Sequence, residues 1–137
     1  MNAGAYGSTS GTDERRSRPM MERLMTYSLP DEIARLRGEQ EWRQSGRNSM
    51  TLAKDVDFRV VLSVLGDGET LHEEDGDART SLQLLEGRAR LAVDAEETEL
   101  DQADLAAVDA GNRWQLTAVG ECAVLLTLAW PREKAGV

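Results

Sequence analysis

A chain of 137 residues with 25 acidic and 16 basic side chains carries a net charge of -9. That balance disfavours dedicated DNA or RNA binding and adsorption to anionic lipid, because both need clustered cations. The length suits one domain, no run of 18 apolar residues offers a bilayer span, and the single cysteine, Cys122, excludes an intrachain disulfide and a cysteine-based zinc cage.

The charge is unevenly spread. Residues 1–48 hold eight basic and seven acidic side chains, whereas residues 49–137 hold eight basic and 18 acidic. The acidic part is the expected folded body. Residues 1–18 are rich in Gly, Ser, Thr and charge, bury too little apolar surface to offset ordering entropy, and read as a disordered tail. Arg15-Arg16 is followed by no apolar stretch, so it does not read as an export signal and a cytoplasmic location is expected. In the segment 19–48 a helix is expected at about 29–44. Ser28 is placed to cap it, Pro30 lies in its first turn and Asp31 takes the capping-box position. Leu29, Ile33 and Leu36 share one face, Trp42 lies beyond them, and Gly46 ends the segment. The expected role is a short amphipathic helix packed outside the main domain.

From residue 49 to 131 the period changes to two. Phe58, Val60, Leu62 and Val64 alternate with Arg59, Val61 and Ser63; Thr80, Leu82 and Leu84 with Arg79, Ser81 and Gln83; Ala89, Leu91 and Val93 with Arg88, Arg90 and Ala92. Further runs follow at Leu105 to Val108, Arg113 to Thr117 and Cys122 to Trp130, with a short tail at 132–137. Gly66-Asp67-Gly68, Asp75-Gly76-Asp77, Glu86-Gly87 and Ala110-Gly111-Asn112 supply turns. Eight or nine short strands without an intervening helix predict an all-β sandwich or barrel.

The spacing of these residues resembles the cupin superfamily, whose fold is a double-stranded β-helix (jelly-roll) barrel. Gly66 is followed after five residues by His72, with Glu74 in the second histidine slot, Thr80 in the glutamate slot and Gly87 closing the motif. Leu84-Leu85-Glu86-Gly87 is similar to the common ending of that motif. In the second motif, counted from Gly111, the first glycine slot is Ala103, the proline slot Asp109, the histidine slot Trp114 and the asparagine slot Ala118. An intact cupin site implies a divalent metal held by three histidines and a glutamate inside the barrel. Here one histidine remains, Thr80 is a poor ligand, and the indole of Trp114 offers only a donor. Two protein ligands rarely hold a first-row metal tightly, so no cofactor is expected; a metal, if held, would sit on His72 and Glu74.

The resemblance therefore implies a cupin-like barrel with degenerate metal-binding motifs, read as a non-catalytic module that binds or senses a small molecule. The alternatives are a metal-dependent dioxygenase or isomerase using a depleted site, and a structural dimerisation module, since cupins are commonly homodimers. The residues expected to line the barrel interior around a ligand are His72, Glu74, Thr80, Leu82 and Trp114. With Phe58, Val60, Leu62, Leu84, Leu91 and Leu116 also expected to face inward, the ligand is expected to be a small, largely apolar molecule. Trp114 either fills the cavity or forms an aromatic wall. The acidic residues Asp94, Glu96, Glu97, Glu99 and Asp101 should bracket a hairpin in water, and Cys122 should be a small buried hydrophobe.

Overall fold

The computed structural model describes residues 22–72 and 76–131. The expected tails at 1–18 and 132–137, and Glu73, Glu74 and Asp75, lie outside the described residues.

The helical segment forms two helices rather than one, α1 (Leu29–Arg37) and α2 (Gln40–Ser45). The break comes at Gly38, a residue with little to gain from staying helical; its N–H closes α1 on the carbonyl oxygens of Ala34 and Arg35. Ser28 occupies the N-cap position with Pro30 in the first turn, but its hydroxyl makes no capping bond. Gly46 ends α2 in a left-handed conformation (φ 75°), the role expected of it.

Among the described residues seven antiparallel strands follow: β1 (Arg47–Asp55), β2 (Phe58–Leu65), β3 (Thr70–His72), β4 (Arg79–Val93), β5 (Glu96–Leu100), β6 (Leu105–Val108) and β7 (Trp114–Ala129). They number fewer than expected because two pairs of short runs are each one long, bent strand. β4 runs through Gly87 and β7 through Gly120. The two bends coincide: pairing is regular from Arg79↔Ala129 to Leu84↔Val124, shifts around Glu86, and resumes from Arg88↔Val119 to Val93↔Trp114. Gly87 (φ 85°) lies so close to β7 that a Cβ there would sit 2.3 Å from the carbonyl oxygen of Glu121. Bends and bulges of this kind let one strand serve two parts of a curved sheet.

Because of the bends the sheet has two arms. In one, the order is β1-β2-β7-β4 with β6 on the far side of β4; in the other, β3 and β5 flank the remaining halves of β7 and β4. The arms fold toward a common core. Leu82 and Leu84 from one arm join Leu91 and Leu116 from the other, with Leu65, Trp114, Cys122, Val124 and Leu126 in the same cluster. Six of these, Leu65, Leu82, Leu84, Leu116, Cys122 and Val124, are at most 1% exposed, and each buried aliphatic side chain contributes about 1.5–3 kcal/mol. The sheet does not close on itself among the described strands, leaving β1 as an edge.

A second cluster lies on the other face of the first arm. Ile33 and Leu36 of α1 pack on Leu52, Leu62, Val64 and Ala123, with Trp42, Met50, Val60 and Leu125 around them. This corrects the expected facing of β2. Phe58, Val60, Leu62 and Val64 share the helix-covered side, and Val61, Ser63 and Leu65 share the side that faces the barrel core. Both faces of β2 are apolar because both are covered, so alternation alone does not reveal which is inner. Polar contacts fix the helices in place. Asn48 donates from Nδ2 to the carbonyl of Leu36 at 3.0 Å and to Glu39 Oε1 at 2.9 Å. Arg37 pairs with Glu86 at 2.8 Å and lies over the Trp42 ring at 5.7 Å. The Tyr27 hydroxyl donates to the carbonyl of Leu52 at 2.7 Å.

The acidic hairpin faces water as expected. Asp94 takes a positive φ of 53° at the β4–β5 turn, and Glu96, Glu97 and Glu99 are exposed along β5. Charges on an edge strand discourage pairing with other chains.

Candidate functional site

The expected interior residues separate in the structure. Thr80 and Leu82 lie on the inward phase of β4, 5% and 0% exposed, and Trp114 at the start of β7 is 5% exposed. Leu82 and Trp114 belong to one apolar cluster, and Trp114 is in register with Val93. His72 does not join them. It is in register with Gln115, and both are exposed, whereas the preceding Leu71 is in register with the buried Leu116. Alternation therefore turns His72 to the outer face, which corrects the expectation that it lines the interior. The reason is one of phase: Leu71, not His72, packs on the core from β3. Glu74 lies outside the described residues. Among the described residues no three His, Cys, Asp or Glu side chains converge.

The remaining motif positions keep a backbone role. Ala103, in the slot where the motif has glycine, has φ 77°, a left-handed conformation that costs a non-glycine residue about 1–2 kcal/mol. Its N–H donates to the carbonyl of Leu84 at 2.7 Å, and Asp104 accepts from Leu84 at 2.9 Å. Ala118 exchanges backbone hydrogen bonds with the Gly66–Glu69 turn, accepting from Gly68 at 3.0 Å and donating to Glu69 at 2.9 Å. Asp67 closes the same corner by accepting from the N–H of Gly120 at 2.8 Å. The Asp109 carboxylate accepts from the N–H of Ala110 and from Arg79 Nε, each at 2.8 Å, and these two donors hold its pKa below the usual carboxylate value. Cys122 is fully buried, and burial pushes its thiol up to about 11. That environment suits a packed hydrophobe and not a thiolate nucleophile.

A cleft of about 280 Å³ opens beside this core, at the β1 edge. Ser63 and Leu65 of β2 and Leu71 of β3 line it, with Arg47, Asn48 and Ser49 of β1 and Glu41 of α2. Its chemistry follows from the register. Ser49 is paired with Ser63 and Arg47 with Leu65, so Arg47, Ser49, Ser63 and Leu65 all project from one face of the sheet. Ser63 is 2% exposed and stands in the wall of this cleft. Arg47 stands 3.7 Å from Glu69. The lining is more polar than the apolar pocket expected. Sequence reasoning passed over Ser63 because β2 was assigned the opposite phase; the available signal was a lone hydroxyl interrupting Val60-Val61-Leu62-Ser63-Val64-Leu65.

Solved structures match this architecture. A cupin superfamily protein from Desulfitobacterium hafniense superposes with a TM-score of 0.61 at 24% identity, covering 65% of this chain and 82% of that one. The chain has the cupin fold. The cupin domain of Schizosaccharomyces pombe Cnp3 gives a TM-score of 0.66 at 18% identity, over 85% of this chain and 76% of that one. The cupin domain of an XRE-family transcriptional regulator from Enterobacter cloacae gives 0.57 at 12% identity, over 64% of this chain and all of the other. No protein-family model matches the chain, and no curated protein matches it by sequence. Among the described residues no helix is long and apolar enough to cross a membrane.

Proposed function

We propose that this cupin-fold chain is a non-catalytic module that binds a small molecule. The observation that carries the reading is the cleft at the β1 edge, with the register-paired Ser49 and Ser63 in its wall. Two further features support it. Trp114, in a slot where a metal site needs a histidine, packs into the apolar cluster. His72, the one histidine of the chain, turns outward and away from Thr80, Leu82 and Trp114. The similar cupin domain of a transcriptional regulator is consistent with a sensory use of such a barrel.

The test is metal content and metal response together. Protein purified without chelator should hold iron, manganese, nickel and zinc well below one per chain, and its melting temperature should not respond to added metal. Near-stoichiometric metal, with stabilisation on reloading, would overturn the proposal and bring forward a metal-dependent dioxygenase or isomerase.

A further inference from the structure

Resting on that reading, we infer that the cleft between β1, β2 and β3 takes a neutral, polyhydroxylated molecule about the size of a monosaccharide. Size sets the first limit. A volume of about 280 Å³ equals roughly nine waters of liquid and falls just below the usual range for drug-sized ligands.

Polarity sets the second. Ser49 and Ser63 are register partners, so their hydroxyls stand side by side on one face, with Cβ atoms about 5 Å apart. Each can both donate and accept, as a ligand hydroxyl does. Glu41 brings an acceptor and Arg47 a fork of donors to the same cleft. A vicinal diol satisfies both kinds of group, because each of its hydroxyls donates one bond and accepts others. Leu65 and Leu71 offer the apolar surface that the C–H face of such a molecule covers.

Charge sets the third and excludes an anion. Among the described lining residues Arg47 is the only cation and already stands 3.7 Å from Glu69, while Glu41 adds a second carboxylate. Two carboxylates to one guanidinium, on a chain of net charge -9, repel a ligand carboxylate or phosphate.

The test uses two probes on one scaffold, D-glucose and D-glucuronate, titrated into ¹⁵N-labelled full-length protein. D-glucose should give saturable shifts in the amides of residues 47–49, 63–65 and 71. D-glucuronate should bind more weakly than D-glucose. Ser63→Ala should weaken D-glucose binding by about five-fold or more, with the melting curve showing that the variant stays folded. Ser63→Thr, which restores a hydroxyl, should recover part of the loss. Tighter binding of D-glucuronate, no saturable shift in the cleft with either probe, or binding indifferent to Ser63→Ala would each overturn the inference. Shifts confined to Thr80, Leu82 and Trp114 would overturn the cleft assignment and leave small-molecule binding standing. Stoichiometric metal would overturn the underlying reading.

Discussion

Gly87→Ala tests the bend on which the two-armed sheet depends. Gly87 has φ 85°, and a Cβ at this position would lie 2.3 Å from the Glu121 carbonyl oxygen and 3.1 Å from Cα and Cβ of Cys122. Two costs follow. The left-handed backbone costs alanine about 1–2 kcal/mol. The overlap with main-chain atoms of β7 cannot be relieved by a rotamer change, so the strands must part, at about 1–3 kcal/mol or more. Their sum is about 2–5 kcal/mol, a large share of the 5–15 kcal/mol typical of a folded domain. Gly120→Ala is the matched control. Gly120 has φ 75° at the corresponding bend of β7, with nothing within 4 Å of its Cβ position, so it should lose only the backbone cost of about 1–2 kcal/mol. The entropy that alanine removes from the unfolded chain is common to both variants and cancels. Urea unfolding followed by tryptophan fluorescence and far-UV circular dichroism gives both values, and an unchanged m-value verifies that the same surface is exposed. Equal losses for the two variants would refute the claim that contact between β4 and β7 at this bend, beyond backbone conformation, sets the requirement for glycine.

Four further expectations are open to the same methods. Ala103→Gly should stabilise the fold by about 1 kcal/mol, raising the melting temperature by about 3 °C, because Ala103 holds φ 77°; an unchanged or lowered melting temperature would count against strain there. Leu36→Ala, which empties a 2%-exposed site under α1, should cost about 2–4 kcal/mol; a cost below about 1 kcal/mol in urea unfolding would mean that α1 is dispensable. Trp114→His should not create a nickel site in calorimetric titration, because His72 faces away from it; a gain in nickel affinity would contradict the outward placement. Alkaline pH should weaken the fold through Cys122, whose thiol is raised by burial to about 11 from 9.0. A raised folded-state value means that the native state holds the proton more tightly. The stabilisation is therefore fully present below about pH 9 and lost as pH rises toward about 11, by up to about 2.7 kcal/mol. Cys122→Ala should flatten that decline, and an equal decline in the variant would assign it to other groups. Tyr27, raised by burial and by the Glu32 carboxylate, shifts in the same direction.

Much of the fold was legible because its punctuation is chemical. Gly46, Gly66, Gly68, Gly87 and Gly111 mark points where the chain turns or bends, and their spacing can be read directly from the sequence. What escaped was phase. β2 carries apolar side chains on both faces, since α1 covers one side and the barrel core the other. Alternation names two faces without saying which is inner, and the choice made from the sequence inverted Ser63 and Leu62. The same ambiguity of one residue put His72 inside, where Leu71 belongs. Strand count failed for a related reason. Glu86-Gly87 has the composition of a turn, yet β4 continues through it, because β7 bends at the same level and keeps the two strands paired on both sides.

Under the proposed function, the placement of the cleft separates recognition from the core. The resemblance to cupin motifs rests on positions in β3, β4 and β7 and the turns that join them. In this chain several of those positions serve the core or backbone: Thr80 and Trp114 are buried, Ala118 anchors a corner through its main chain, and Ala103 supplies a backbone bend. A substitution there disturbs packing or geometry throughout the arm. The cleft is built mainly from β1 and the inward phase of β2, at an open edge of the sheet. Arg47 and Ser49 are exposed, and Ser63 is small, so under the proposed function changing any of them would alter recognition at little cost to the core. Among the cleft residues, Leu65 is committed to the core, at 1% exposure. Under the proposed function, the scaffold and the specificity of the barrel would be carried by different strands. Ligand preference should respond to substitutions at residues 47, 49 and 63 while the melting temperature barely moves, and substitutions at 80, 82 and 114 should do the reverse.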